Sequence, residues 1–129
     1  QQGLLLTGGG YTDKTIKVWN TISYNLINEV ETDSQVCNLA FSKNSNEFVS
    51  THGHHGNQII VWKYPDLLKL TVLEGEEIHT DRVLYLDQSP NGENIVTGSA
   101  DETLKFWKVF PRKHSENNSF LFPSLTDLR

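Results

Sequence analysis

Residues 101–107 read DETLKFW, and the same pattern occurs twice earlier in the chain, as DKTIKVW at residues 13–19 and NQIIVW at residues 57–62. Trp19, Trp62 and Trp107 thus recur at the roughly 40–45-residue period of propeller blades built on a WD-type strand. Each segment follows a β-rich run ending in small residues: LLLTGGG at 4–10, FVSTHG at 48–53 and IVTGSA at 95–100. Each pair is therefore expected to form a hairpin. Residues 26–30 and 68–73 read as outer strands, while VCNLAF at 36–41 and VLYL at 83–86 read as buried inner ones. SKNSNE from Ser42 and SPNGEN from Ser89 supply the Asn, Gly and Pro of hairpin turns. With the four strands of a blade labelled a to d from the axis outward, the order is b-c-d, a-b-c-d, a-b-c. The expected fold is all-β: ten strands making about two and a half blades of a WD40-type β-propeller.

Composition agrees with a folded chain. Of 129 residues, 36% are hydrophobic and 21% charged, with 4 prolines, outside the range of disordered or fibrous sequences. No run approaches the roughly 18 apolar residues of a bilayer span, and no basic segment precedes an apolar one as in a signal peptide, so no membrane partner is expected. A net charge of −5, from 11 basic and 16 acidic side chains, repels phosphate backbones and argues against nucleic acid. The single Cys37 can form no internal disulfide, which favours a reducing compartment, nucleus and cytoplasm. Lying within VCNLAF, it reads as an inert core thiol. His52, His54 and His55 have no carboxylate or cysteine close in sequence to complete a metal site and read as a polar surface turn. Neither enzyme chemistry, a metal nor a cofactor is expected.

The aspartates before two of the tryptophans have a structural reading. In a WD blade a turn Asp, a strand Ser or Thr, a His from the loop before strand a and the strand-c Trp form a hydrogen-bonded chain that satisfies polar groups inside the sheet. Asp101, Thr97 or Ser99, His79 and Trp107 fill these places in the last blade, with Trp62 and Trp19 as the equivalent tryptophans. In the middle blade Asn57 is read in the place of the Asp, which predicts different wiring. A closed ring of seven blades at this period needs on the order of 300 residues, so the chain reads as a piece of a longer product. Residues 1–110 are assigned to incomplete blades and 111–129 to a flexible tail, polar and irregular from Phe110 onward.

Several motifs carry a family resemblance: SQVCNLAFS from Ser34, STHGHHGNQIIVWKYP from Ser50, RVLYLDQSPNGENIVTGSADETLKFWKVF from Arg82, and a final Leu128-Arg129. In this combination and order the chain, from about Leu4 to Phe110, resembles the C-terminal part of the Fizzy and Fizzy-related activators of the anaphase-promoting complex. The resemblance implies a seven-bladed propeller that serves as a non-catalytic substrate receptor for a ubiquitin ligase. Such receptors read two degrons, the KEN box on the top of the propeller and the destruction box (RxxL) between the first and last blades. Carried over by motif, Gln35 and Arg82 are the KEN-box residues and Glu102 the acid that meets the destruction-box arginine. Leu128 and Arg129 resemble the Ile-Arg tail that docks on a tetratricopeptide-repeat subunit. The implied partners are subunits of the complex, degron-bearing cell-cycle proteins, and checkpoint or pseudosubstrate inhibitors. Two departures stand out: a three-residue insertion between Gly75 and His79, and Leu128 where Ile is usual. The alternative reading is a general WD40 interaction scaffold without degron specificity.

Overall fold

The protein is described by a computed structural model over residues 3–111. The expected tail, with Leu128 and Arg129, lies outside these residues apart from Pro111. Ten strands form three antiparallel sheets. The first contains β1 (Leu4–Gly8), β2 (Thr15–Asn20) and β3 (Leu26–Glu31) in that order. The middle sheet is complete, with β4 (Val36–Phe41), β5 (Glu47–His52), β6 (Ile59–Lys63) and β7 (Leu68–Leu73). The third contains β8 (Val83–Gln88), β9 (Asn94–Ser99) and β10 (Leu104–Lys108). The order is therefore three strands, four, and three, each strand pairing with its sequence neighbour.

The strands are rich in β-branched and aromatic residues, which pack well on a pleated surface. Because side chains alternate between faces, the middle sheet can be covered on both. Phe48, Ile60 and Trp62 pack towards the first sheet with Ile16 and Val18. Val49, Ile59 and Val61 pack towards the third with Val83 and Ile95. The β1–β4 approach is tight: a Cβ added at Gly8 would stand 2.6 Å from a Val36 methyl, so only glycine fits there. At one end of the sheets the turns that join β4 to β5 and β8 to β9 are clasped together. Asn44 Nδ2 donates to the carbonyls of Asn91 (2.9 Å) and Pro111 (3.2 Å), and Lys43 N donates to Gln88 Oε1 (3.1 Å).

Phe110 departs from the sequence expectation. Instead of opening a polar tail it is buried with Val109 at the end of the second core cluster, and both backbone amides donate to the Glu93 carbonyl. Its aromatic bulk, not the polar residues that follow, decides its place.

Each outer sheet has one strand fewer than the middle sheet among the described residues, which leaves β1 and β10 as unpaired edges where the middle sheet continues with β4 and β7. The outward face of the third sheet presents Tyr85, Leu104 and Phe106, which are 69%, 69% and 71% exposed. Unpaired edges and apolar faces of this kind drive association. Residues 1–129 on their own are therefore expected to self-associate. Sedimentation velocity across a concentration series checks this, and a monodisperse monomer with a cooperative melt would overturn it.

Candidate functional site

Adjacent strands run in opposite directions, so the turns after β1, β5 and β9 and the loops before β4 and β8 all gather at the end of the sheets away from the Asn44 clasp. That end carries the polar side chains singled out in the sequence.

In the third sheet Trp107 Nε1 donates to Thr97 Oγ1 at 2.9 Å, and Thr97 Oγ1 lies 2.8 Å from His79 Nε2. A hydroxyl that accepts from the indole has its proton free for the imidazole. Thr97 therefore donates to Nε2, which leaves the His79 proton on Nδ1, 3.1 Å from Asp101 Oδ2. Of the two candidate hydroxyls Thr97 is the bridging one; Ser99 Oγ donates to the Asp81 carbonyl instead. Thr103, which the sequence reading missed, donates its hydroxyl to Asp101 Oδ1, and the amides of Thr80 and Thr103 also donate to that carboxylate. Burial opposes ionisation of Asp101, but the hydrogen bonds from Thr103, Thr80 and His79 outweigh it and hold the carboxyl well below the usual carboxylate range.

The middle sheet is wired differently, for a reason other than the one expected. Lys14, Asn57 and Glu102 have left-handed φ values of 54°, 48° and 71°, and each stands five residues before its tryptophan. Asn57 thus occupies the place of Lys14 and Glu102, and Gly56 that of the aspartate. The reading of Asn57 as an aspartate substitute is corrected by this geometry. Here Trp62 Nε1 donates to Ser50 Oγ at 2.8 Å, and Ser50 lies 2.7 Å from Nε2 of His52, a residue of β5 itself. His52 is fully buried, not part of a surface turn as expected from the histidine cluster. Its Nδ1 makes no hydrogen bond of ordinary geometry among the described residues. Burial pushes its pKa down to about 4, although the nearby carbonyls of Ser34 and Gln35 favour the protonated form. In the first sheet Trp19 Nε1 donates to Thr7 Oγ1 at 2.9 Å.

These two groups set an acid response. His52 binds a proton in the unfolded chain near pH 6.5 but in the folded one only near pH 4, so its contribution to stability is lost as pH falls through that window. The slope is at most about 1.4 kcal/mol per pH unit. Asp101, with a depressed folded value, contributes fully above the ordinary carboxylate range and loses that contribution below it. Urea denaturation at pH 7, 6 and 5 is expected to show falling stability, with the slope in this range reduced in His52→Gln. An unchanged slope in that variant would remove His52 from the response.

Gln35 and Arg82 each immediately precede strand a of their sheet. Both strands carry a bulge at the same point, between Val36 and Asn38 and between Val83 and Tyr85. Such bulges sharpen local twist and re-aim the neighbouring side chains. Cys37 falls in the first of these bulges, so it is half-buried instead of sealed in the core; burial raises its pKa and the Arg82 charge opposes that. The two backbones are anchored alike: Gly53 N donates to the Gln35 carbonyl and Ala100 N to that of Arg82, both at 3.0 Å. Where the third sheet has Ala100, the middle sheet has Gly53. A Cβ built on Gly53 would lie 3.3 Å from Arg82 Cγ and 3.4 Å from Gln35 Oε1. The structure therefore brings Gln35 and Arg82 from adjacent sheets together above a bare glycine, which sequence reasoning had not singled out. Glu102 is not part of this pair. It sits exposed at the tip of the β9–β10 turn, where its amide donates to the Ser99 carbonyl at 3.1 Å and its carboxylate makes no hydrogen bond or ion pair among the described residues.

The WD domain, G-beta repeat family matches residues 70–108. The chain is 54% identical over 119 residues to WD repeat-containing protein srw1 of Schizosaccharomyces pombe, covering 92% of this chain and 21% of that protein. It is 57% identical over 115 residues to Protein FIZZY-RELATED 2 of Arabidopsis thaliana, covering 89% and 23%. It is 54% identical over 111 residues to anaphase-promoting complex subunit cdh1 of Dictyostelium discoideum, covering 86% and 14%. The chain thus spans about a quarter or less of the curated relatives it matches. Among solved structures, a chain of the mitotic checkpoint complex superposes with a TM-score of 0.80 at 41% identity, over 86% of this chain and 35% of that one.

Proposed function

The chain belongs to the Fizzy-related group of WD-repeat proteins, and from that premise we propose that it supplies part of a substrate receptor that activates the anaphase-promoting complex by reading short degrons. The observation that carries this reading is the meeting of Gln35 and Arg82 over Gly53. A guanidinium suits the glutamate of a KEN box, and an amide that both donates and accepts suits its asparagine. A floor without a side chain lets the Arg82 stem and the Gln35 amide close over Gly53 and so stand side by side. On the same reading Glu102 receives the arginine of a destruction box at the seam with the next blade, while the Leu128-Arg129 tail docks on a tetratricopeptide-repeat subunit. The protein is then a non-catalytic adaptor of nucleus and cytoplasm, and checkpoint or pseudosubstrate inhibitors compete for the same sites.

Titration of a KEN peptide against the complete protein tests this. Hydrogen bonds to charged groups are worth about 1.5–3 kcal/mol, so Arg82→Ala is expected to weaken the peptide by about 10-fold or more. If wild type and the Gln35→Ala/Arg82→Ala variant titrate alike, the alternative of a WD40 scaffold without degron specificity takes its place.

A further inference from the structure

The Gln35–Arg82 pair is one end of a longer seam. The turn after β5 and the loop before β8 run side by side. At one end the Arg82 side chain lies over Gly53. Next along, His54 Nε2 faces Asp81 Oδ1 at 3.8 Å, with side chains 61% and 39% exposed. Beyond them Asn57 and Thr80 line a notch whose outer wall includes Glu74 and Glu76, the latter within the insertion noted in the sequence. The seam therefore changes sign along its length, from a guanidinium to carboxylates. Asp81 is held in place, because its Oδ1 accepts the Arg82 amide at 2.7 Å. Its other oxygen has no hydrogen-bond partner among the described residues.

We propose that Asp81, with the acidic notch behind it, is a subsite for a lysine or arginine side chain of a peptide whose acidic residue sits on Arg82. This deepens the degron-reading role proposed above and rests on it. An extended peptide advances about 3.3 Å per residue and returns to the same side every second residue. A basic residue two positions from the acidic one therefore falls on the carboxylate side of the seam in one chain direction and away from it in the other. The subsite thus selects both flanking charge and peptide polarity.

The experiment uses the complete protein and four KEN peptides, carrying lysine or norleucine either two positions before or two positions after the glutamate. Lysine is expected to bind better than norleucine at one of these positions only, by about three- to fivefold, the range of a half-exposed ion pair. Asp81→Asn keeps the acceptor for the Arg82 amide but not the charge. It is expected to bring that ratio to about one while leaving the norleucine peptides unchanged. A lack of preference at both positions, or equal weakening of lysine and norleucine peptides by Asp81→Asn, overturns the subsite. Failure of all four peptides to bind wild type overturns the degron-reading role itself, and the subsite with it.

Discussion

Trp62→Ala in the complete protein is expected to lower the free energy of unfolding by about 3–5 kcal/mol, the range for large aromatic truncations in a core that cannot collapse. Trp62 has no exposed surface, and its ring stacks on Phe48 with centroids 6.0 Å apart and planes 12° from parallel. The middle sheet is pressed between two others, so neighbours have little freedom to move into the vacated space. The indole is also the donor to Ser50, and its removal leaves that buried hydroxyl one partner short. Trp62→Phe keeps most of the stacking area but not the donor and should fall between wild type and alanine. The check is a shift in the urea midpoint without a change in m-value. A Trp62→Ala cost below about 1 kcal/mol, the size of an ordinary substitution, would contradict the doubly covered middle sheet.

Glu102→Arg is expected to abolish binding of an RxxL peptide while leaving the KEN peptide within about twofold of wild type. An arginine opposite the incoming arginine replaces attraction with like-charge repulsion at a partly desolvated seam, which is costly. The substitution should not disturb the turn. Lys14 occupies the equivalent place in the β1–β2 turn with φ 54°, against 71° for Glu102, so the left-handed position accepts a long basic side chain. Stability is expected to change by no more than about 0.5 kcal/mol, as for other surface substitutions. Equal loss of both peptides would mean that the turn had been damaged, and loss of neither would remove Glu102 from the site.

The tryptophan period and the hydrophobic runs were enough to place all ten strands and the grouping into three, four and three, because both features repeat at a fixed spacing. The local wiring was less legible. Asn57 was taken one position out of register, although counting six residues back from each tryptophan gives Asp13, Gly56 and Asp101, a register that the left-handed φ values of Lys14, Asn57 and Glu102 share. His52 looked like one of three turn histidines, yet the strand carries it inwards to Ser50. Cys37 lies in an apolar run, but a bulge takes it partly out of the core, and bulges leave no composition signal of their own. The equivalence of Gln35 and Arg82 could be read from the valines that follow them. Their convergence was not read, since it depends on Gly53 standing where the next sheet has Ala100. Comparing FVSTHG with IVTGSA places Gly53 opposite Ala100 and so contained that signal.

The most direct test is a crossed titration on the complete protein, with KEN and RxxL peptides each measured against wild type, Arg82→Ala and Glu102→Arg. The expected outcome is a double dissociation: Arg82→Ala weakens the KEN peptide by about 10-fold or more and spares RxxL, whereas Glu102→Arg removes RxxL binding and spares KEN. Parallel losses in both variants, or wild-type affinity for both peptides throughout, would contradict two separate degron sites on this end of the blades.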